Sequence, residues 1–195
     1  DKELKKFMNA AKCRNISGID WDIEEFYSLF SVNYGSNGYD SFSYLLLINQ
    51  LKNISINLKN NNFKIMFTIL LGEPDWFAPL FLTKENSYYD YVTLMLYNGG
   101  MYSANGSGGG CDWNTWAELF LTNGKGGCLT PLKDSKQNYI NKSNIQNINA
   151  QKIILGMIAT SNTPIPATVN MVHTAQTLVE KYNAAGIFFW DLESD

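Results

Sequence analysis

Five short runs of apolar, β-branched and aromatic residues recur along the chain, separated by stretches of helical periodicity. The runs occupy residues 16–24, 63–71, 91–97, 152–158 and 185–192, each bounded by Gly, Asn, Pro or Ser turn signals. Between them, residues 43–58 set Leu46, Ile48, Leu51, Ile54 and Leu58 near helical spacing. Residues 114–121 follow Asp112, a good helix cap, and residues 169–183 form a further amphipathic stretch. Pro74 and Pro79 mark the segment between the second and third runs as irregular. Strands alternating with helices imply parallel βα units, either in an open doubly wound sheet or in a (βα)8 barrel.

The first run separates these two architectures. In Gly18-Ile19-Asp20-Trp21-Asp22-Ile23-Glu24 the acids fall at every second position and project from one face of a strand, while Ile19, Trp21 and Ile23 take the other. In an open α/β sheet both faces lie under helices, where three carboxylates would be buried at high cost. In a barrel that face points inward, and the C-terminal strand ends open on a solvated mouth. The expected fold is therefore α/β, a (βα)8 TIM barrel. Such a barrel takes about 250 residues and eight strands. Five strands in 195 residues thus imply an N-terminally truncated barrel of about five βα units, with residues 1–195 as part of one domain. The missing units are expected before Asp1. Residues 1–195 alone are expected to fold poorly, because sheet edges and apolar faces would stay uncovered.

Composition excludes several function classes. With 45% hydrophobic residues the chain has enough apolar side chain for a real core. A net charge of −3, with basic residues read as scattered and forming no basic helix face, gives no footprint for nucleic acid or an anionic membrane. The longest apolar stretches, such as residues 65–71, fall well short of the roughly 20 residues of a spanning helix. Asn is abundant, as in Asn60-Asn61-Asn62 and residues 137–149, and is assigned to solvated loops and helix ends. Of the three cysteines, Cys111 and Cys128 bracket a glycine-rich loop and are either a disulfide or two free thiols. Cys13, just before the first run, is expected to be a small buried hydrophobe. One His and no Cys-x-x-Cys pair give no support to a zinc site.

Three carboxylates at i, i+2 and i+4 have a chemical use. Side chains two apart on a strand lie about 7 Å from each other, close enough to repel in a poorly solvated pocket. The crowding is expected to raise at least one pKa, so that one carboxyl stays protonated as a general acid. Glu24 is outermost and has the longest side chain, so it is the candidate acid. Asp22 would share a proton or hydrogen bond with it, and Asp20 would sit deeper and set the state of Asp22. An ordinary strand face is the competing assignment, although Asp is disfavoured in strands and like charges on one face destabilise them. An EF-hand calcium loop needs a glycine at its sixth position and a later Glu, a pattern this segment lacks.

Ser17-Gly18-Ile19-Asp20-Trp21-Asp22-Ile23-Glu24 resembles the D-G-x-D-x-D-x-E signature of glycoside hydrolase family 18, the chitinases and endo-β-N-acetylglucosaminidases. That signature lies on the fourth barrel strand, which agrees with three units upstream. Ser17 replaces its first Asp. Met95-Leu96-Tyr97-Asn98 resembles the family's M-x-Y-D/N motif on strand six, with the Asn of the hevamine-like branch. Ile187-Phe188-Phe189-Trp190 resembles the strand-eight segment that ends in the Trp flooring the cleaved-sugar subsite. Residues 152–156 and 113–116 also look like that branch. The strand-five end departs from it: Leu71-Gly72-Glu73-Pro74-Asp75-Trp76 stands where many relatives have a Met-Ala-Pro-type segment, and Glu73 and Trp76 receive no role.

The resemblance implies a retaining endo-glycosidase that cuts β-1,4 linkages between N-acetylglucosamine units by substrate-assisted catalysis, an exception to the two-carboxylate scheme. Glu24 would protonate the glycosidic oxygen, and the substrate's N-acetyl carbonyl would attack the anomeric carbon. Asp22 would orient the acetamido group and stabilise its developing charge, with Asp20 behind it. Tyr97 would hydrogen-bond the acetamido group, Asn98 would help position it, and Trp190 would offer an apolar face to the sugar. For Tyr97 and Trp190 the alternative is plain core packing. No metal or organic cofactor is implied. The expected partner is chitin or another N-acetylglucosamine oligosaccharide, handled by a secreted monomer. The alternatives are an endo-β-N-acetylglucosaminidase acting on N-glycans and a non-catalytic chitin-binding lectin on the same barrel; lectins of this kind typically lose the terminal Glu. A flavodoxin-like binding module is disfavoured because residues 106–110 do not lead from a strand into a helix at phosphate-loop spacing.

Overall fold

The computed structural model describes residues 2–23, 41–70, 88–96, 117–118, 120–122, 149–159 and 167–190. In chain order the elements are α1 (Lys2–Cys13), β1 (Gly18–Ile23), α2 (Ser41–Asn60), β2 (Lys64–Leu70), β3 (Tyr91–Met95), β4 (Ile153–Ile158), α3 (Val169–Tyr182) and β5 (Gly186–Trp190), with a single 3-10 turn, Ala150–Lys152, leading into β4. The strands form one parallel five-stranded sheet in the order β1-β2-β3-β4-β5, so the protein is an α/β protein. All five strands lie within the apolar runs of the sequence. The helix α1 was not expected there.

The chain divides into two compact units, residues 1–67 with 85–90 and residues 68–84 with 91–195. In the first, α1 buries Met8 and Ala11, which its pitch sets on one side with the half-buried Leu4. α2 buries Ser55 and Leu58, and β2 buries Ile65, Phe67 and Thr68. Phe67, Tyr88 and Tyr89 pack as three rings with centroids 5.1 to 6.1 Å apart and near-perpendicular planes, the edge-to-face arrangement that aromatic quadrupoles favour. Strand β1 comes very close to the start of β2. A Cβ on Gly18 would lie 3.0 Å from the Lys64 carbonyl oxygen, a backbone atom that cannot swing aside.

In the second unit β3 and β4 are buried on both faces, as expected of parallel strands covered on either side. Val92, Leu94, Ile153, Leu155 and Met157 are at most 1% exposed. The register runs Leu94↔Leu155↔Ile187 and Met95↔Gly156↔Phe188, with Ile158 opposite Trp190. α3 starts on Thr168, whose hydroxyl accepts the Met171 N–H at 3.2 Å, and buries Ala175 and Leu178.

The helices α1, α2 and α3 close in the same way. The N–H of Asn15 bonds to the Lys12 carbonyl and that of Ile16 to the Ala11 carbonyl; Asn62 with Phe63, and Asn183 with Ala184, repeat the pair on α2 and α3. This is the Schellman arrangement, and its pivot residue is Asn at φ 57, 67 and 53. Asn tolerates the left-handed region better than other residues with a side chain. The abundance of Asn is therefore partly structural: each of these residues turns a helix end into the approach to a strand.

Two expectations are corrected. Cys13 is exposed, because the buried side of α1 follows Met8 and Ala11 and two further residues rotate Cys13 to the far side. There is also a basic helix face: α1 gathers Lys2, Lys5, Lys6 and Lys12 on one exposed side.

Candidate active site

Strand β1 carries two of the expected acids. Asp20 and Asp22 are exposed, while Ile19 and Trp21 between them are half-buried, so the acids and the apolar residues take opposite faces, as the alternation requires. Trp21 turns its indole inward, and its Nε1 is buried without an acceptor. The poorly solvated surround expected for the carboxylates is not found at Asp20 or Asp22, both of which meet solvent. Glu24 directly follows the end of β1 in sequence but lies outside the described residues, as do Tyr97 and Asn98. Glu73, Trp76, Cys111, Cys128 and the segments 113–116 and 106–110 lie outside them too.

Ser17 meets the next strand through its backbone. Its carbonyl accepts the Lys64 N–H at 2.8 Å, and that backbone bond aligns β1 with β2 whatever side chain stands there. Gly18 is different, since the close approach to Lys64 leaves no room for a Cβ.

Trp190 ends β5 and is 47% exposed. Its ring lies 6.3 Å from that of Phe188, tilted by 48°. Side chains alternate along β5, so Phe188 and Trp190 share a face. The register extends that face to Gly156 and Met95 in one row and to Ile158 in the next. Met95 and Ile158 touch in the core. Two segments about ninety residues apart in sequence, the one beginning at Met95 and the one ending at Trp190, therefore present side chains on one face of the second unit.

Sequence reasoning missed one charged centre, Asp90. One carboxylate oxygen accepts from Lys59 Nζ at 2.8 Å and lies 3.5 Å from Lys64 Nζ, and the other accepts the Ile65 N–H at 2.9 Å. The Asp90 N–H in turn donates to the Ile65 carbonyl at 2.8 Å. Burial pushes this carboxyl up. The Lys59 and Ile65 hydrogen bonds and the two lysine charges outweigh that and hold it below its ordinary value. A lone Asp in a polar stretch gave no signal, because its partners lie 25 and 31 residues away. In the second unit Glu118 accepts from Lys181 at 3.2 Å and from the Tyr182 hydroxyl at 3.3 Å. Hydrogen bonds to Tyr182 and Glu118 hold Lys181 above its ordinary value.

Among the described residues no group of three or more His, Cys, Asp or Glu is placed to hold a metal ion. None of the described helices is long and apolar enough to cross a membrane. Comparison with known proteins finds no matching family model and no matching curated protein.

Proposed function

We propose that the protein is a retaining, chitinase-like glycoside hydrolase of the family 18 type, with Glu24 as its catalytic acid, built on a (βα)8 barrel of which β1 to β5 are five consecutive strands. The observation that carries the proposal is β1 itself. The Ser17–Glu24 octapeptide contains a real parallel strand, its two described acids share a solvent-accessible face, and the strand ends at Ile23, one residue before Glu24. The other matched residues hold equivalent places: Trp190 is the last residue of β5, and Tyr97 and Asn98 follow two and three residues after Met95, the last of β3. Barrel enzymes draw catalytic residues from such strand ends.

Strand order supports the barrel over the doubly wound sheet. A doubly wound sheet reverses direction at a switch point, whereas five parallel strands in strict chain order show no reversal. Right-handed crossovers in one direction put every helix on the same side and leave the other for an interior.

Glu24 protonates the glycosidic oxygen and later, as carboxylate, activates water. Asp22 steadies the acetamido group as its carbonyl attacks the anomeric carbon, Tyr97 hydrogen-bonds to that group and Asn98 helps position it. The exposure of Asp20 and Asp22 leaves both carboxylates open to the positive charge that develops on the substrate. Trp190 supplies the stacking face. Secretion, a monomeric state and an N-acetylglucosamine polymer as substrate belong to the same proposal.

The test compares the protein with its Glu24→Gln variant on chitin oligomers and on a high-mannose glycopeptide. The expected result is hydrolysis of one substrate by the wild type with retention at the anomeric carbon, and a loss of at least about a hundredfold in the variant. Equal rates for the two proteins remove Glu24 from its role. Binding without turnover by both points to a lectin.

A further inference from the structure

The lysine side of α1 is the charged surface that the proposed reaction leaves unused. At the helical step, Lys2, Lys5, Lys6 and Lys12 fall on one side and Leu4, Met8 and Ala11 on the other. The four lysines are exposed and Met8 and Ala11 are buried, so the apolar side is already committed to packing. Glu3 engages Lys6 at 2.8 Å; among the described residues Lys2, Lys5 and Lys12 have no carboxylate partner. With the exposed Arg14, five cations face the single carboxylate of Glu3 across residues 2–14, in a chain whose net charge is −3.

A cleft of about 360 Å³ opens at the C-terminal end of this side, where Lys12, Asn15, Ser17 and Asn62 line it with donor groups over Ile16 and Phe63. Two helices end there, and free carbonyls at their C-termini would repel an anion. The carbonyls of Ala11, Lys12, Leu58 and Lys59 are already bonded to the N–H groups of the closing turns, which lessens that repulsion.

We propose that this surface holds the protein against an anionic phospholipid bilayer, with the lysines over the headgroup layer and one headgroup phosphate seated in the cleft at Lys12. Four or more cations on one side of an amphipathic helix match a lipid surface of diffuse negative charge. Met8 and Ala11 are already packed and Phe7 is the one exposed large apolar side chain of α1, too little for insertion, so the attachment is electrostatic, reversible and screened by salt. Nucleic acid suits the surface less well, because the stripe is built of lysines, with Arg14 the one arginine beside it, and holds no exposed ring for stacking.

The experiment sediments the full chain with phosphatidylcholine vesicles, with and without phosphatidylserine, at low and at physiological salt, with heparin as a soluble polyanion control. The expected result is binding only to the serine-containing vesicles, weakened by salt. Lys2→Glu with Lys5→Glu should reduce it by at least about tenfold, and Lys12→Gln by less. Both lysines of the double variant are exposed and have no carboxylate partner among the described residues, so its circular dichroism spectrum and melting temperature should match the wild type. Binding to both vesicle types alike, binding unaffected by the charge reversals, or retention by heparin without vesicle binding would each overturn the proposal.

Discussion

Asp90 shows how much a single side chain can organise. It stands just before β3, yet it ties Lys59 in the last turn of α2 to the Ile65 N–H in β2, so one carboxylate fixes the passage from helix to strand. Asn keeps the shape but loses the charge that faces Lys59 and Lys64. Asp90→Asn is expected to cost about 1.5 to 3 kcal/mol at neutral pH, the range for hydrogen bonds to a charged group. The pH dependence follows from the lowered pKa. In the unfolded chain Asp titrates near 3.9, so the stabilisation is fully present above that value and is lost as pH falls through the lower folded value. Urea unfolding of both proteins across that range checks this: the stability gap should be constant from neutral down to mildly acid pH and close below it. A gap independent of pH would show that the charge is not the cause. At the same scale, the alternation in β1 was legible because a period of two needs no knowledge of neighbours. The solvent exposure of Asp20 and Asp22 was not, because exposure depends on what lies beside a strand, and the octapeptide does not encode that.

At the scale of elements, the sequence runs located every described strand, but they placed the starts of β1 and β2 too early for a common reason. Ile16 and Phe63 read as the first residues of strands, yet each is the residue that bonds back into the preceding helix, and the strands begin at Gly18 and Lys64. An apolar residue at that position extends the apolar run without joining the sheet, whether buried beside the last helical turn, as Phe63 is, or exposed, as Ile16 is. α1 was missed because five of its twelve residues are charged, which masks the spacing of Leu4, Met8 and Ala11. The Asn pivots make these closures testable. At Asn183 the backbone is left-handed, with φ 53 and ψ 46. Asn183→Ala should cost about 1 kcal/mol, because a Cβ without a compensating polar group is strained there, whereas Asn183→Gly should be neutral or slightly stabilising. Thermal melts of the two variants should separate them in that order. A reversed order would mean that the Asn side chain, rather than its backbone tolerance, secures the end of α3.

The order of the whole sheet sets what a ligand can touch. Neighbouring strands lie about 4.8 Å apart, so in a flat sheet of sequential strands the first and fifth would be separated by roughly 19 Å. A single sugar ring could not bridge that gap. In a closed barrel the same two strands send inward-facing side chains into one interior, and a ligand of two sugar units can meet both. Alternating strands and helices made parallel units legible in the sequence, but closure depends on tilt and stagger accumulated over all strands, and no local pattern reports those. A binding experiment can. In the inactive Glu24→Gln background, titration with a short N-acetylglucosamine oligomer should give measurable affinity. Adding Trp190→Ala, at the end of β5, should weaken it by about 1 to 3 kcal/mol through lost stacking. Adding Asp22→Asn, on β1, should weaken binding of the same oligomer and most sharply that of an analogue carrying positive charge near the anomeric carbon. A double-mutant cycle between Asp22 and Trp190 on a disaccharide then asks whether one small ligand senses both ends of the sheet. Losses at both positions on the same disaccharide require a curved, closing sheet. A disaccharide that responds to Trp190 alone would leave β1 outside its site, and the barrel and the role of Glu24 would fall together.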